Sequence, residues 1–178
     1  MVDAVRVSQY GPQLELQVQG RGNMQQCPAM RRWVEERIGG GCTRVWIDLS
    51  RATHLDSTFI GTLLILNRRL LAGGGNRIVL VAPSAACAPL LTQMHVQNQF
   101  IVSDNPPEPR QWQDELQVVA NTLSTCSFKQ NVVDAHQELA NLGGPAAEQF
   151  GELAAQMAEE LEPLPKRPGS LDDTIRFG

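Results

Sequence analysis

The run RVWIDLSRATHLDSTFIGTLLILNRRL, residues 44–70, sets Asp56, Ser57 and Thr58 between a strand-like apolar segment and a long apolar helix pattern. A hydroxyl at such a junction has three chemical uses. As a helix N-cap it accepts hydrogen bonds from the first free amides and contributes about 0.5–2 kcal/mol, a role Asp56 or Ser57 can fill. As a nucleophile it needs a base and an orienting acid, yet the GxSxG elbow is absent and no His/Asp pair is marked by spacing. As a phosphate acceptor it gains up to about two negative charges, which a helix N-terminus tolerates and Asp56 repels, so the surface changes what it attracts. Gly61 lies four residues after Ser57 and on the same helical face. Lacking a side chain, it admits either a close backbone approach or tight packing on a sheet.

Other reactive residue types form no constellation. His54, His95 and His136 are dispersed, without ligand-like spacing among themselves or with Cys27, Cys42, Cys87 and Cys126. No metal and no cofactor is therefore expected, and the cysteines, with no CxxC pair, read as free thiols of a reducing compartment.

The elements that must position Ser57 follow from periodicity. AVRVSQYG and QLELQVQG alternate around Gly11-Pro12 as two antiparallel strands. Met30, Trp33, Val34 and Ile38 predict a helix over 28–38, ended by Gly39-Gly40-Gly41, and RVWIDLS predicts a central strand. Phe59, Ile60, Leu63, Leu64, Leu66, Leu70 and Leu71 predict the clearest helix, from Ser57 to about Leu71, with Gly73-Gly74-Gly75 as the stop. RIVLVAP as a strand, SAACAPLLTQM as a helix capped by Ser84, and QFIV as a last strand complete a mixed α/β sheet of about four to five strands with helices packed on it. The turn-rich SDNPPEP suggests a boundary, giving a domain over 1–105, an acidic helical extension over 106–162 and a flexible tail over 163–178. Within the extension, helical spacing covers 110–125, 128–142 and 145–162. Its apolar residues Val118, Leu123, Val132, Val133, Leu139, Phe150, Leu153, Met157 and Leu161 must be covered. The helices pack on each other and on the outer side of the sheet, or they form a second surface for self-association or another protein.

Charge is unevenly placed. Residues 1–103 carry ten Lys+Arg and six Asp+Glu, whereas residues 104–178 carry five and thirteen, so +4 is followed by −8. An acidic extension favours a basic partner. The Arg31-Arg32 and Arg68-Arg69 pairs sit on different predicted helices, and Trp33, Trp46 and Trp112 are not interleaved with them in sequence, which disfavours direct nucleic-acid binding. The opening MVDAVRVSQY has no charged leader with a sustained apolar run, and the longest apolar patch is too short for a bilayer. A cytoplasmic protein without membrane insertion is expected.

Taken together, VWIDLSRATHLDSTFIGTLLILNRRL and GNRIVLVAPSAACAPLLTQMHVQNQF resemble the STAS domain of bacterial anti-sigma factor antagonists, over roughly residues 3–103. The shared features are a strand ending in D-L-S, an Asp-Ser turn into helix with Gly following, a glycine break, a strand and a helix. The resemblance implies a STAS-like fold and a non-enzymatic regulator of transcription acting by partner switching. In that family the serine after the aspartate is phosphorylated by a partner that is both anti-sigma factor and serine kinase, which places phosphorylation at Ser57. It places partner binding at Asp56, Ser57, Thr58 and Gly61, with a PP2C-type phosphatase resetting the switch. Gly20-Arg21-Gly22-Asn23 departs from the family's Gly-x-x-Asp passage, and the resemblance does not reach the extension. Two other classes compete: a STAS-like accessory subunit of a membrane lipid ABC transporter, docking through the same helix without phosphate, and a hydrolase using Ser57, for which a base is missing.

Overall fold

Alternation at the start of the chain forms the expected hairpin. In the computed structural model, which describes residues 3–106, 112, 114–116 and 125–159, strand β1 (Ala4–Tyr10) runs antiparallel to β2 (Gln13–Gly22). β3 (Arg44–Leu55), β4 (Val79–Val81) and β5 (Ile101–Ser103) follow in parallel, each beside the one before. A sixth strand, β6 (Asp114–Leu116), lies antiparallel on the free edge of β1, so the spatial order is β5-β4-β3-β2-β1-β6. The mixed α/β sheet predicted from periodicity is therefore present, with one strand more than the four to five expected.

That extra strand corrects the helix predicted over 110–125. Its central residues instead pair with an edge that would otherwise present unpaired backbone groups. Most of the rest of that segment, Val118, Leu123, Leu161 and the tail over 163–178 lie outside the described residues.

Helices α1 (Cys27–Gly39) and α2 (Ser57–Ala72) bridge the parallel strands, and α3 (Ala88–Gln93) with a 3-10 turn (Gln97–Gln99) leads from β4 to β5. Phe59, Ile60, Leu63, Leu66 and Leu70 of α2 are fully buried, in one core with Leu14, Leu16, Ile47, Leu49 and Leu80 of the sheet. Gly22 is needed where β2 passes the start of α2. A Cβ there would lie 2.7 Å from Leu55 Cδ2 and 3.2 Å from the Phe59 ring. Ser84 does not cap α3, which starts later than the sequence suggested. Its Oγ accepts from Cys87 N at 3.2 Å and donates to the Ala52 carbonyl at 2.7 Å, closing a turn onto β3.

On the opposite side of the sheet, Gln17 Nε2 donates to the buried Asp48 Oδ2 at 2.9 Å. Two of the three tryptophans carry an arginine: the Arg37 guanidinium stacks 3.7 Å from the Trp33 ring and that of Arg6 lies 5.9 Å from Trp112. Cys27, Cys42 and Cys87 are free and buried, and burial pushes the Cys27 thiol up to about 12, so it stays protonated. Among the described residues, no helix is long and apolar enough to cross a membrane.

The extension forms a helical hairpin, α4 (Thr125–Ala140) and α5 (Gly144–Glu159). Val132, Val133, Leu139 and Phe150 are buried as their spacing requires, while Leu153 is exposed. Leu139, Ala146 and Phe150 belong to the same core as the sheet. The hairpin packs on α2, with help from α1, as a further layer of helix. The sequence had suggested the outer side of the sheet.

One polar residue fixes the height of α2 above the sheet. Asn67, buried in an otherwise apolar turn, accepts from Ile78 N at 2.8 Å and donates to the Gln99 carbonyl at 3.1 Å, tying α2 to the segments that enter β4 and β5. Replacing Asn67→Leu leaves the Ile78 amide buried and unpaired, and urea unfolding should show a loss of about 1–3 kcal/mol.

Candidate functional site

Asp56, not Ser57, caps α2. Its backbone is extended, Oδ1 accepts from Phe59 N at 2.8 Å and Oδ2 from Met24 N at 2.8 Å. The Asp56 amide in turn donates to the Gly22 carbonyl at 3.0 Å. Both carboxylate oxygens are thus committed to backbone, one stopping the helix and the other holding the loop before α1. Asn23, in the passage that departs from the family pattern, builds that loop: its Oδ1 accepts from Gln25 N at 3.0 Å and its own amide donates to Gln26 Oε1 at 3.2 Å.

With the cap supplied by its neighbour, Ser57 is the first residue of α2 and its hydroxyl is free for another partner. Thr58, the adjacent hydroxyl, is buried. Ser57 Oγ lies 3.0 Å from Nε2 of His136 on α4. Further along the same face, a Cβ on Gly61 would collide with the carbonyl oxygen of Ala135, so the backbones of α2 and α4 meet here with nothing between them. Asn131 Nδ2 donates to Thr62 Oγ1 at 3.3 Å. Arg31 of α1 bonds Glu35 at 3.1 Å and Asp134 of α4 at 2.7 Å, and Arg68 pairs with Glu138 at 3.1 Å. Ser57, Gly61 and Arg68 thus share one stripe, and α4 lies along it. Of the predicted site residues, Asp56, Ser57 and Gly61 come together here, and Thr58 is buried.

His136 brings an imidazole to Ser57 that the sequence did not mark, because it is contributed from far along the chain. Burial lowers its pKa from 6.5 and the carboxylate of Asp56 only partly opposes this, so the ring is neutral at pH 7. Its Nδ1 is buried without a partner among the described residues, and the Phe150 ring stacks on it at 5.8 Å. Which of the two groups donates depends on the ring tautomer, and the hydrolase reading gains a nearby ring whose Nδ1 has no orienting partner among the described residues.

A mixed sheet with the parallel crossovers α1 and α2, and an aspartate-capped helix starting at a serine, is the arrangement of a STAS-type domain. A family model described as "Mlab, STAS domain" matches residues 5–103, more than half of the chain, and the chain belongs to that family. Among solved structures, it is similar to a candidate anti-sigma factor antagonist from Thermotoga maritima, with 17% identity, a TM-score of 0.52, and coverage of 57% of this chain and 86% of that one. It is also similar to the anti-sigma factor antagonist SpoIIAA in its unphosphorylated form, with 19% identity, a TM-score of 0.51, and coverage of 56% and 87%. At such identities the likeness is one of fold. None of the curated proteins matches the chain. The family match leaves out the whole α4–α5 hairpin, which holds the residues that reach Ser57.

Neutral His136 makes docking of α4 pH-dependent. Its folded pKa lies below the undocked value, so the docked state is fully stable above about pH 6.5 and loses stability as the pH falls through the folded pKa. Asp56, whose charge favours the imidazolium, works against the loss without removing it. Hydrogen exchange of residues 128–140, corrected for intrinsic rates, should accelerate between about pH 7.5 and about pH 5.5, and His136→Gln should flatten that response.

Proposed function

We propose that this protein is an anti-sigma factor antagonist that works by partner switching. Unphosphorylated, it binds an anti-sigma factor that is also a serine kinase. Phosphorylation of Ser57 releases it, and a PP2C-type phosphatase restores it. It is a cytoplasmic binding module and not an enzyme, with residues 1–105 as the signalling domain. Partner contact runs through Asp56, Ser57 and Gly61, with Thr58, the fourth residue the resemblance implies, buried beside them. The observation that carries this reading is the place of Ser57: first residue of α2, relieved of capping by Asp56, in a chain of the STAS family. A phosphoryl group there meets the positive end of the helix dipole and the negative charge of Asp56, so it alters the surface without needing to unfold it.

Incubating the full-length protein with its kinase partner and ATP should place phosphate on Ser57, mapped by mass spectrometry; modification only elsewhere, or none, sinks the proposal. Ser57→Ala should retain partner binding while Ser57→Asp weakens it by about tenfold or more, equivalent to about 1.4 kcal/mol. Equal affinities, with the fold intact by circular dichroism, would mean that charge at this position is not the switch.

A second reading is favoured by one specific contact. Ser57 already serves as a neutral hydrogen-bond partner beneath a docked helix. An accessory subunit of a membrane lipid ABC transporter would use α2 in this phosphate-free way. Co-purification with an ATPase, with Ser57 unmodified in cells, would select it.

A further inference from the structure

We infer that the Ser57–Arg68 stripe of α2 is a helix-docking surface whose resident occupant is the chain's own α4. A partner takes the surface by displacing α4 with a helix of the same chemistry: a small residue over Gly61 and carboxylates opposite Arg31 and Arg68. The inference rests on the reading above only in placing the partner on this face.

Three observations carry it. First, the fit at Gly61 is backbone to backbone. Ala135 is fully buried against it, and anything larger than a small residue on either helix would force the pair apart. An incoming helix must meet the same restriction. Second, four polar pairs run along the contact, Ser57–His136, Thr62–Asn131, Arg31–Asp134 and Arg68–Glu138, beside the apolar Leu139. These groups recover water when α4 leaves, so each contributes little net to holding it. The contrast is with α2, which puts Phe59, Ile60, Leu63, Leu66 and Leu70 into the core where α4 adds Leu139, and apolar side chains have no polar atoms to offer water. α2 is fixed to the sheet and α4 is exchangeable on α2. Third, charge complementarity names the occupant: the domain presents arginines and α4 presents Asp134 and Glu138, so a competing helix should be acidic on its docking face.

The test uses the full-length chain and a fluorescein-labelled synthetic peptide copying residues 125–143. Ala135→Phe and, separately, Asp134→Lys with Glu138→Lys should open the resident helix, seen as fast hydrogen exchange over residues 128–140 with strand β3 still protected. Both opened variants should bind the peptide about tenfold or more tightly than the wild type, the factor imposed when its own α4 covers the site about nine-tenths of the time. Adding Gly61→Leu should abolish that binding. Equal binding by wild type and opened variants, or no binding by variants in which α4 exchanges fast, overturns the inference. So does a wild-type dimer whose α4 comes from the second copy. The assay needs no phosphate: peptide binding with no modification of Ser57 removes the switch and keeps the docking surface, and phosphate on Ser57 without peptide binding does the reverse.

Discussion

Helix α2 has no side that can face water for long. Eleven of its sixteen residues are buried, including Leu64 and Ile65 as well as the residues packed on the sheet, so a single layer beneath it is not enough cover. Exposing a large aliphatic side chain costs about 1.5–3 kcal/mol. Something must therefore lie on the outer side, and in this chain it is α4. Gly61 decides how closely that cover can approach, since its missing side chain lets the Ala135 backbone sit directly on the helix. The position of His136 over Ser57 follows from that approach.

The uneven charge of the chain acquires a physical meaning in the same contact. The excess of basic residues in the domain and of acidic residues in the extension is partly satisfied within the molecule. Burial works against the charge of Arg31, yet its hydrogen bonds to Asp134 and Glu35 and their negative charges together raise its pKa. Arg68 and Glu138 repeat the arrangement closer to solvent, where screening leaves them a smaller share. The acidic extension thus finds a basic surface in its own chain.

Much of the domain was legible because its signals are local. Alternation fixed the β1–β2 hairpin, and the aliphatic spacing of α2 together with the Asp-Ser junction located the helix and the hydroxyl. What could not be read is what comes back from a distance. A three-residue strand such as β6 has no periodicity of its own and is specified by the free edge of β1. The capping role fell to Asp56 because its two oxygens reach Phe59 and Met24 at once, which depends on where the loop before α1 lies. His136 stands 79 residues from Ser57 and carries no spacing signal toward it. The only hint was that His136 shares a helical face with Val132, Val133 and Leu139, which had to be buried somewhere.

The geometry at Ser57 links its chemistry to the hairpin in both directions. With α4 docked, the hydroxyl is held 3.0 Å from the His136 ring. A tetrahedral dianion cannot enter that space unless the ring withdraws. The Asp56 carboxylate beside it is already committed to two amides and repels the phosphate. A docked α4 therefore disfavours phosphate on Ser57, and by thermodynamic reciprocity phosphate on Ser57 disfavours a docked α4 to the same extent. Under the proposed reading, a partner that displaces the hairpin and a kinase that reaches the hydroxyl would draw on the same opened state, whose population is set by how well α4 covers α2.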